Sequence, residues 1–102
     1  MRVTVIGAGY VGLTTAACLA DSGHDVTCVD VDPSKIEAVR TRQAPFHEQG
    51  LPELVQSERL HGSLDLTSVA RASEVIVIAV GTPEGPDGID LVQRILLRLV
   101  KW

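Results

Sequence analysis

An α/β fold built on a parallel sheet is predicted by three features of the chain. Apolar runs rich in β-branched residues, Val3-Thr4-Val5-Ile6, Asp25 to Asp30 and Glu74 to Val80, are separated by segments long enough for crossover helices, not by hairpin turns. Glycines at positions 7, 9 and 12 follow the first run and open a helix. Asp30 closes the second run 18 residues after Gly12. Right-handed crossovers then give a Rossmann-like, partial doubly wound parallel sheet of order 3-2-1-4 with helices on both faces. Strands 1 and 4 diverge at the switch point, so the glycine turn sits beside Gly81-Thr82-Pro83, and ligands bind in that crevice.

In chain order, the glycine turn leads into a helix from about Tyr10 to Ser22. Ala16, Ala17 and Ala20 keep its side chains short against the sheet, Val11 and Leu19 fill between them, and Gly23 stops it as the C′ residue. Asp32 caps a second helix with Pro33 at its first position, and Ile36 and Val39 turn toward the sheet before the helix fades by Thr41. Arg42 to Leu60 breaks the alternation: Pro45, Gly50 and Pro52 mark a loop, and Leu51, Leu54 and Val55 a short helix inside it. A third, weak strand is expected at Gly62 to Thr67, then a helical turn near Ser68 to Ala72. The uninterrupted run from Glu74 to Val80 reads as a parallel strand covered on both faces. Gly81 to Gly88 forms a Pro- and Gly-rich loop at its carboxyl end, and Ile89 to Trp102 a final amphipathic helix with apolar residues at 92, 95, 96, 99 and 100.

The glycine spacing carries chemistry. Gly7 allows the tight turn out of the strand, Gly9 lets backbone approach a pyrophosphate with no side chain in the way, and Gly12 lets the helix sit close to the sheet. The helix aims free N–H groups and the positive end of its dipole at the phosphates. Asp30 is placed to accept hydrogen bonds from the adenosine ribose hydroxyls. It suits a free 2′-hydroxyl and repels a 2′-phosphate, with no arginine expected nearby to compensate, which points to NAD over NADP.

Composition narrows the partners. At 102 residues the chain is expected to be one domain, 1–102, with 45% hydrophobic and 22% charged residues, as in soluble globular proteins. Nine Lys and Arg spread singly, with a net charge of −4, give no basic stripe, so nucleic acid is not an expected partner. No run approaches 18 apolar residues, so no membrane span is expected, and the first strand begins right after Met1, leaving no room for a signal peptide. A cytoplasmic protein is the expectation. Cys18 and Cys28 fall inside elements without metal-type spacing and read as small buried apolar residues. His24 follows a turn glycine and His47-Glu48 lacks the second histidine of a zinc helix, so no metal site is expected.

Beyond the fold, VIGAGYVGL from Val5 to Leu13, GHDVTCVDVDPSKI from Gly23 to Ile36, APFHEQGL from Ala44 to Leu51 and VGTPEGPDGIDL from Val80 to Leu91 resemble the N-terminal domain of the UDP-glucose 6-dehydrogenase and GDP-mannose 6-dehydrogenase family. That family oxidises the C6 alcohol of a nucleotide sugar to a carboxylate with two NAD+, through an aldehyde and a cysteine thioester. The resemblance implies that the backbone of Gly9, Tyr10 and Val11 meets the pyrophosphate, Asp30 and Lys35 the adenosine ribose, and Gly81 and Thr82 the nicotinamide side. Gln49 stands where the family has a proline, and after Leu91 the bulky Ile95 to Val100 segment replaces an alanine-rich helix. The family's nucleophilic cysteine, its catalytic lysine and acids and its sugar-nucleotide domain have no counterpart in these residues, so no catalytic residue is carried over and the chain alone is expected to be inactive. It reads as the NAD-binding part of such an enzyme. Two alternatives stand beside this reading: a stand-alone NAD-binding or sensing module, and a piece of another NAD-dependent dehydrogenase of the 3-hydroxyacyl-CoA or 6-phosphogluconate type. Self-association is expected through the edge of the fourth strand or the Ile89 to Trp102 helix, because an apolar strand edge recruits another chain unless covered.

Overall fold

The computed structural model describes residues 1–44 and 49–80, together with Arg94, Ile95 and Leu97. Its elements are β1 (Arg2–Ile6), α1 (Tyr10–Asp21), β2 (Asp25–Val29), α2 (Pro33–Arg40), α3 (Leu51–Leu54), β3 (Leu60–Ser63), α4 (Leu66–Arg71) and β4 (Val75–Ile78). The four strands are parallel in the order β3-β2-β1-β4, as the crossover rule requires. Val3 pairs with both Val26 and Val75, so β1 is central and its glycine turn emerges between its neighbours.

Alternation along the strands sorts the two faces. Val3 and Val5 of β1, Val26 and Cys28 of β2 and Leu60 of β3 meet α1, α2 and α3 in one cluster that includes Leu13, Ile36, Leu51 and Val55. Thr4 points the other way, and its hydroxyl donates to the Val69 carbonyl of α4 at 3.4 Å. Helix α1 ends as its sequence predicts: Gly23 takes φ +101°, its N–H donates to Ala20 O, and His24 N–H donates to Leu19 O. Helix α2 starts as predicted, with Asp32 accepting the Ser34 N–H at 2.9 Å and Pro33 in the first turn.

The segment after α2 is anchored in an unforeseen way. Arg42 adopts φ +62° and closes α2 where glycine is usual, its N–H donating to Val39 O and that of Gln43 to Ala38 O. Its guanidinium donates to the carbonyls of Ser57 at 2.6 Å and Leu60 at 2.7 Å. These bonds hold the turn between α3 and β3, and Leu51 and Val55 are buried against the core. The expected short helix is therefore present as part of the core.

Three local expectations are corrected. The third strand is Leu60–Ser63, not Gly62 to Thr67, because Leu60 pairs with Val26 and Asp65 caps α4 by accepting the Ser68 N–H, which makes Leu66 helical. The fourth strand is shorter than expected and only partly covered: Val75 is exposed and Ile76, Val77 and Ile78 are half-buried. Ladder bonds from Glu74 N–H to Arg2 O and from Ala79 N–H to Ile6 O extend its pairing at both ends. Helix α1 turns Leu13, Ala16, Ala17 and Ala20 inward, which leaves Val11 64% exposed and Cys18 on the surface. Of the expected final helix, Arg94, Ile95 and Leu97 are helical. The rest of it, with His47 and the Gly81 to Gly88 loop, lies outside the described residues.

Candidate functional site

The carboxyl ends of β1 and β2 form the site, and the glycine turn is built by contact as much as by conformation. Gly7 has φ +110°, donates its N–H to Val29 O at 2.7 Å, and passes so close to the residues just after β4 that a Cβ there would lie 2.6 Å from Ala79 O. A Cβ on Gly12 would collide with the Gly7 carbonyl, so α1 can approach the strand only with glycine at this position. Gly9 differs. Its backbone is extended, at φ −77° and ψ −165°, and among the described residues no atom beyond its chain neighbours lies within 4 Å of where its Cβ would stand. Among the described residues neither conformation nor packing requires glycine there, and the space leaves the backbone open to an approaching ligand.

Gly9 is also the N-cap of α1, with no side chain to cap it and no acidic residue in the first turn. That leaves an electropositive helix end suited to an anion. Asp30 stands across the turn, half-buried. Its Oδ2 accepts the Ala8 N–H at 2.8 Å and its Oδ1 accepts the Asp32 N–H at 2.9 Å. The carboxylate thus ties the glycine turn to the β2–α2 connection, and each oxygen keeps acceptor capacity for a hydroxyl.

Beneath the turn, the Cys28 thiol contacts the Gly7 carbonyl at 3.6 Å. Burial, with the Asp30 charge as a smaller contribution, pushes this thiol up to about 12, so it stays protonated and is neither nucleophile nor ligand at neutral pH. Among the described residues no group of three or more His, Cys, Asp and Glu could hold a metal. His61 and Asp25 pair at 2.8 Å, but at the other end of the sheet, where Asp25 begins β2.

A cavity of about 330 Å³ opens beside Gly7 and Asp30, walled by Ile6, Val29, Val31, Leu64, Leu66 and Val80, with Arg94 and Ile95 closing its lining. Val31 is 93% exposed and Leu64 also faces solvent, so two aliphatic side chains of the cavity lining stand open to solvent. An apolar slot next to a carboxylate fits a purine and its ribose.

The structure therefore places Gly7 and Asp30 on one cavity, with Gly9 and Gly12 further along the same turn and Tyr10 and Val11 exposed in the first turn of α1. Lys35 is exposed on α2, outside the cavity lining. Gly81 and Thr82 lie outside the described residues. Sequence reasoning did not find Ala8, Val31, Leu64 or Arg94. It expected no arginine near Asp30, whereas Arg94 lines the same cavity, brought there by a helix more than sixty residues later in the chain.

Known proteins resemble this chain in sequence and fold. A family model described as the UDP-glucose/GDP-mannose dehydrogenase family, NAD binding domain, matches residues 1–98. A UDP-glucose 6-dehydrogenase of Rhizobium meliloti is 52% identical over 87 residues, covering 81% of this chain and 20% of the relative. The solved ternary complex of GDP-mannose dehydrogenase from Pseudomonas aeruginosa superimposes with a TM-score of 0.88 at 34% identity, over 97% of this chain and 24% of that one. The chain thus spans about a fifth of the length of the curated relatives it matches. A 3-hydroxybutyryl-CoA dehydrogenase from Ralstonia eutropha, at 19% identity and a TM-score of 0.66 over 96% of this chain and 35% of that one, shares the fold alone. The reading as a piece of that other dehydrogenase class is overturned by the family match.

Proposed function

Because the chain belongs to the UDP-glucose/GDP-mannose dehydrogenase family, as its NAD-binding domain, we propose that it holds NAD across the carboxyl ends of β1, β2 and β4 and serves the oxidation of a nucleotide-sugar C6 alcohol. Bound NAD+ supplies the hydride acceptor for that chemistry. Backbone N–H groups of Gly9, Tyr10 and Val11 hold the pyrophosphate against the amino end of α1. Gly7 and Gly12 shape the turn that presents them. Asp30 accepts the ribose hydroxyls with the lone pairs left by Ala8 and Asp32, and Lys35 flanks the same ribose. Gly81 and Thr82 take the nicotinamide side by family resemblance. Val31, Leu64 and Leu66 seat the adenine.

The observation that carries this reading is the open space at Gly9, a glycine that neither its backbone nor its packing among the described residues requires. Replacing Gly9 with valine puts a branched side chain into that space, where its Cβ meets no described atom beyond the chain neighbours within 4 Å. Gly9→Val is expected to keep the far-ultraviolet circular dichroism of the parent and to lose NAD binding in a fluorescence titration. A folded variant that binds NAD normally would show that the phosphates are held elsewhere.

The nucleophile and sugar-binding residues of the full reaction belong to the remainder of the family's length, so residues 1–102 act as one cofactor-binding unit. A cytoplasmic location is part of the proposal, supported by the free thiols of Cys18 and Cys28. Among the described residues no helix is long and apolar enough to cross a membrane. Self-association through the outer edge of β4 is proposed as well. Among the described residues that strand pairs with β1 alone, and its sequence is Val-Ile-Val-Ile.

A further inference from the structure

Resting on the cofactor reading above, we propose that Arg94 is a specificity-determining residue of this site, a cation that offsets Asp30 at the ribose end and narrows the preference for NAD over NADP. Among the described residues that line the cavity, Asp30 and Arg94 are the charged ones, with opposite signs. The other described side chains of the lining are aliphatic, with Asp30 half-buried and Arg94 exposed to solvent. A lone carboxylate at this position repels a 2′-phosphate. Here the carboxylate already accepts two backbone N–H groups, from Ala8 and Asp32, which draw off part of its negative potential. A guanidinium on the same cavity matches phosphate with its planar fork of donors. Arg94 also falls in the segment where the chain departs from the alanine-rich helix of the family it resembles.

The test isolates the adenosine end with two small probes, 5′-AMP and 2′,5′-ADP, which differ only in the 2′-phosphate. Both are titrated calorimetrically into the parent chain, Arg94→Ala and Arg94→Lys, with circular dichroism to confirm folding. Arg94→Ala is expected to weaken 2′,5′-ADP about tenfold more than 5′-AMP, the size of one charge-assisted bond to phosphate. Arg94→Lys should recover part of that loss, and the selective loss should shrink in high salt. Equal loss for both probes, or no change for either, overturns the role of Arg94 while leaving the NAD reading intact. Failure of the parent chain to bind 5′-AMP or NAD overturns both.

Discussion

Substituting asparagine for Asp30 preserves the shape of the side chain yet should destabilise the fold as well as the complex. The two carboxylate oxygens each accept a backbone N–H, from Ala8 at 2.8 Å and from Asp32 at 2.9 Å. An amide has one oxygen, so whichever way it turns, its NH2 group faces one of those N–H donors. Hydrogen bonds to charged groups contribute about 1.5–3 kcal/mol, and a donor left unsatisfied costs about 1–3 kcal/mol. Asp30 is half-buried and water reaches it, which places the loss at the low end, about 1–2 kcal/mol. With a urea slope of about 1–2 kcal/mol/M for a domain of this size, the unfolding midpoint should fall by roughly 1 M. In NAD titrations Asp30→Asn should also bind about 1–3 kcal/mol more weakly, because the ribose loses a charged acceptor. Urea unfolding followed by circular dichroism, with and without NAD, separates the two effects. An Asp30→Asn protein with the parent's midpoint would refute the claim that this carboxylate ties the glycine turn to the β2–α2 connection.

Further outcomes follow from the same geometry. A thiol titration of the native chain with a disulfide reagent at pH 8 should consume one equivalent quickly, at exposed Cys18, and the second only on unfolding, because Cys28 is buried. Since the Cys28 thiol is raised from 9.0 to about 12 in the fold, its contribution to stability is complete below pH 9. It is lost as the pH rises from there toward 12, when only the unfolded chain releases the proton. A midpoint that stays flat across that window would contradict the burial. The purified chain should produce no NADH from UDP-glucose or GDP-mannose, and turnover by a homogeneous sample would overturn the assignment of catalysis to the rest of the family's length. Light scattering over a concentration series should detect association that Ile76→Lys and Ile78→Lys abolish; a monomer at all concentrations would reject pairing through β4.

The sequence made the first half of this fold legible because its signals are local. Gly7, Gly9 and Gly12 lie within six positions of one another, Gly23 and Asp32-Pro33 punctuate helix ends, and β-branched runs mark β1 and β2. β3 was misplaced because Leu64 and Leu66 continue an alternating pattern past the strand, while the cap that decides the matter is Asp65 between them. Arg42 was invisible as a helix terminator, since nothing in an arginine announces a positive φ that its own side chain secures through carbonyls fifteen and eighteen residues away. The cavity was illegible for a similar reason. Its wall gathers Ile6, Val31, Leu64, Val80 and Arg94 from five separate elements and connections, and only the folded sheet brings them together. Asp30 was recognisable as a ribose acceptor, but its two backbone partners depend on the turn's geometry.

The central claim is that the carboxyl ends of the strands, and not their amino ends, receive the cofactor. The most direct measurement is a two-dimensional amide NMR titration of the chain with NAD. Resonances of Gly7, Ala8, Gly9, Val11, Gly12, Asp30 and Asp32 should shift together and saturate with one dissociation constant. Those of Asp25, His61 and Ser73, at the opposite end of the sheet, should stay in place. Shifts centred on Asp25 and Ser73, or no saturable shift at the glycine turn at millimolar NAD, would contradict the account.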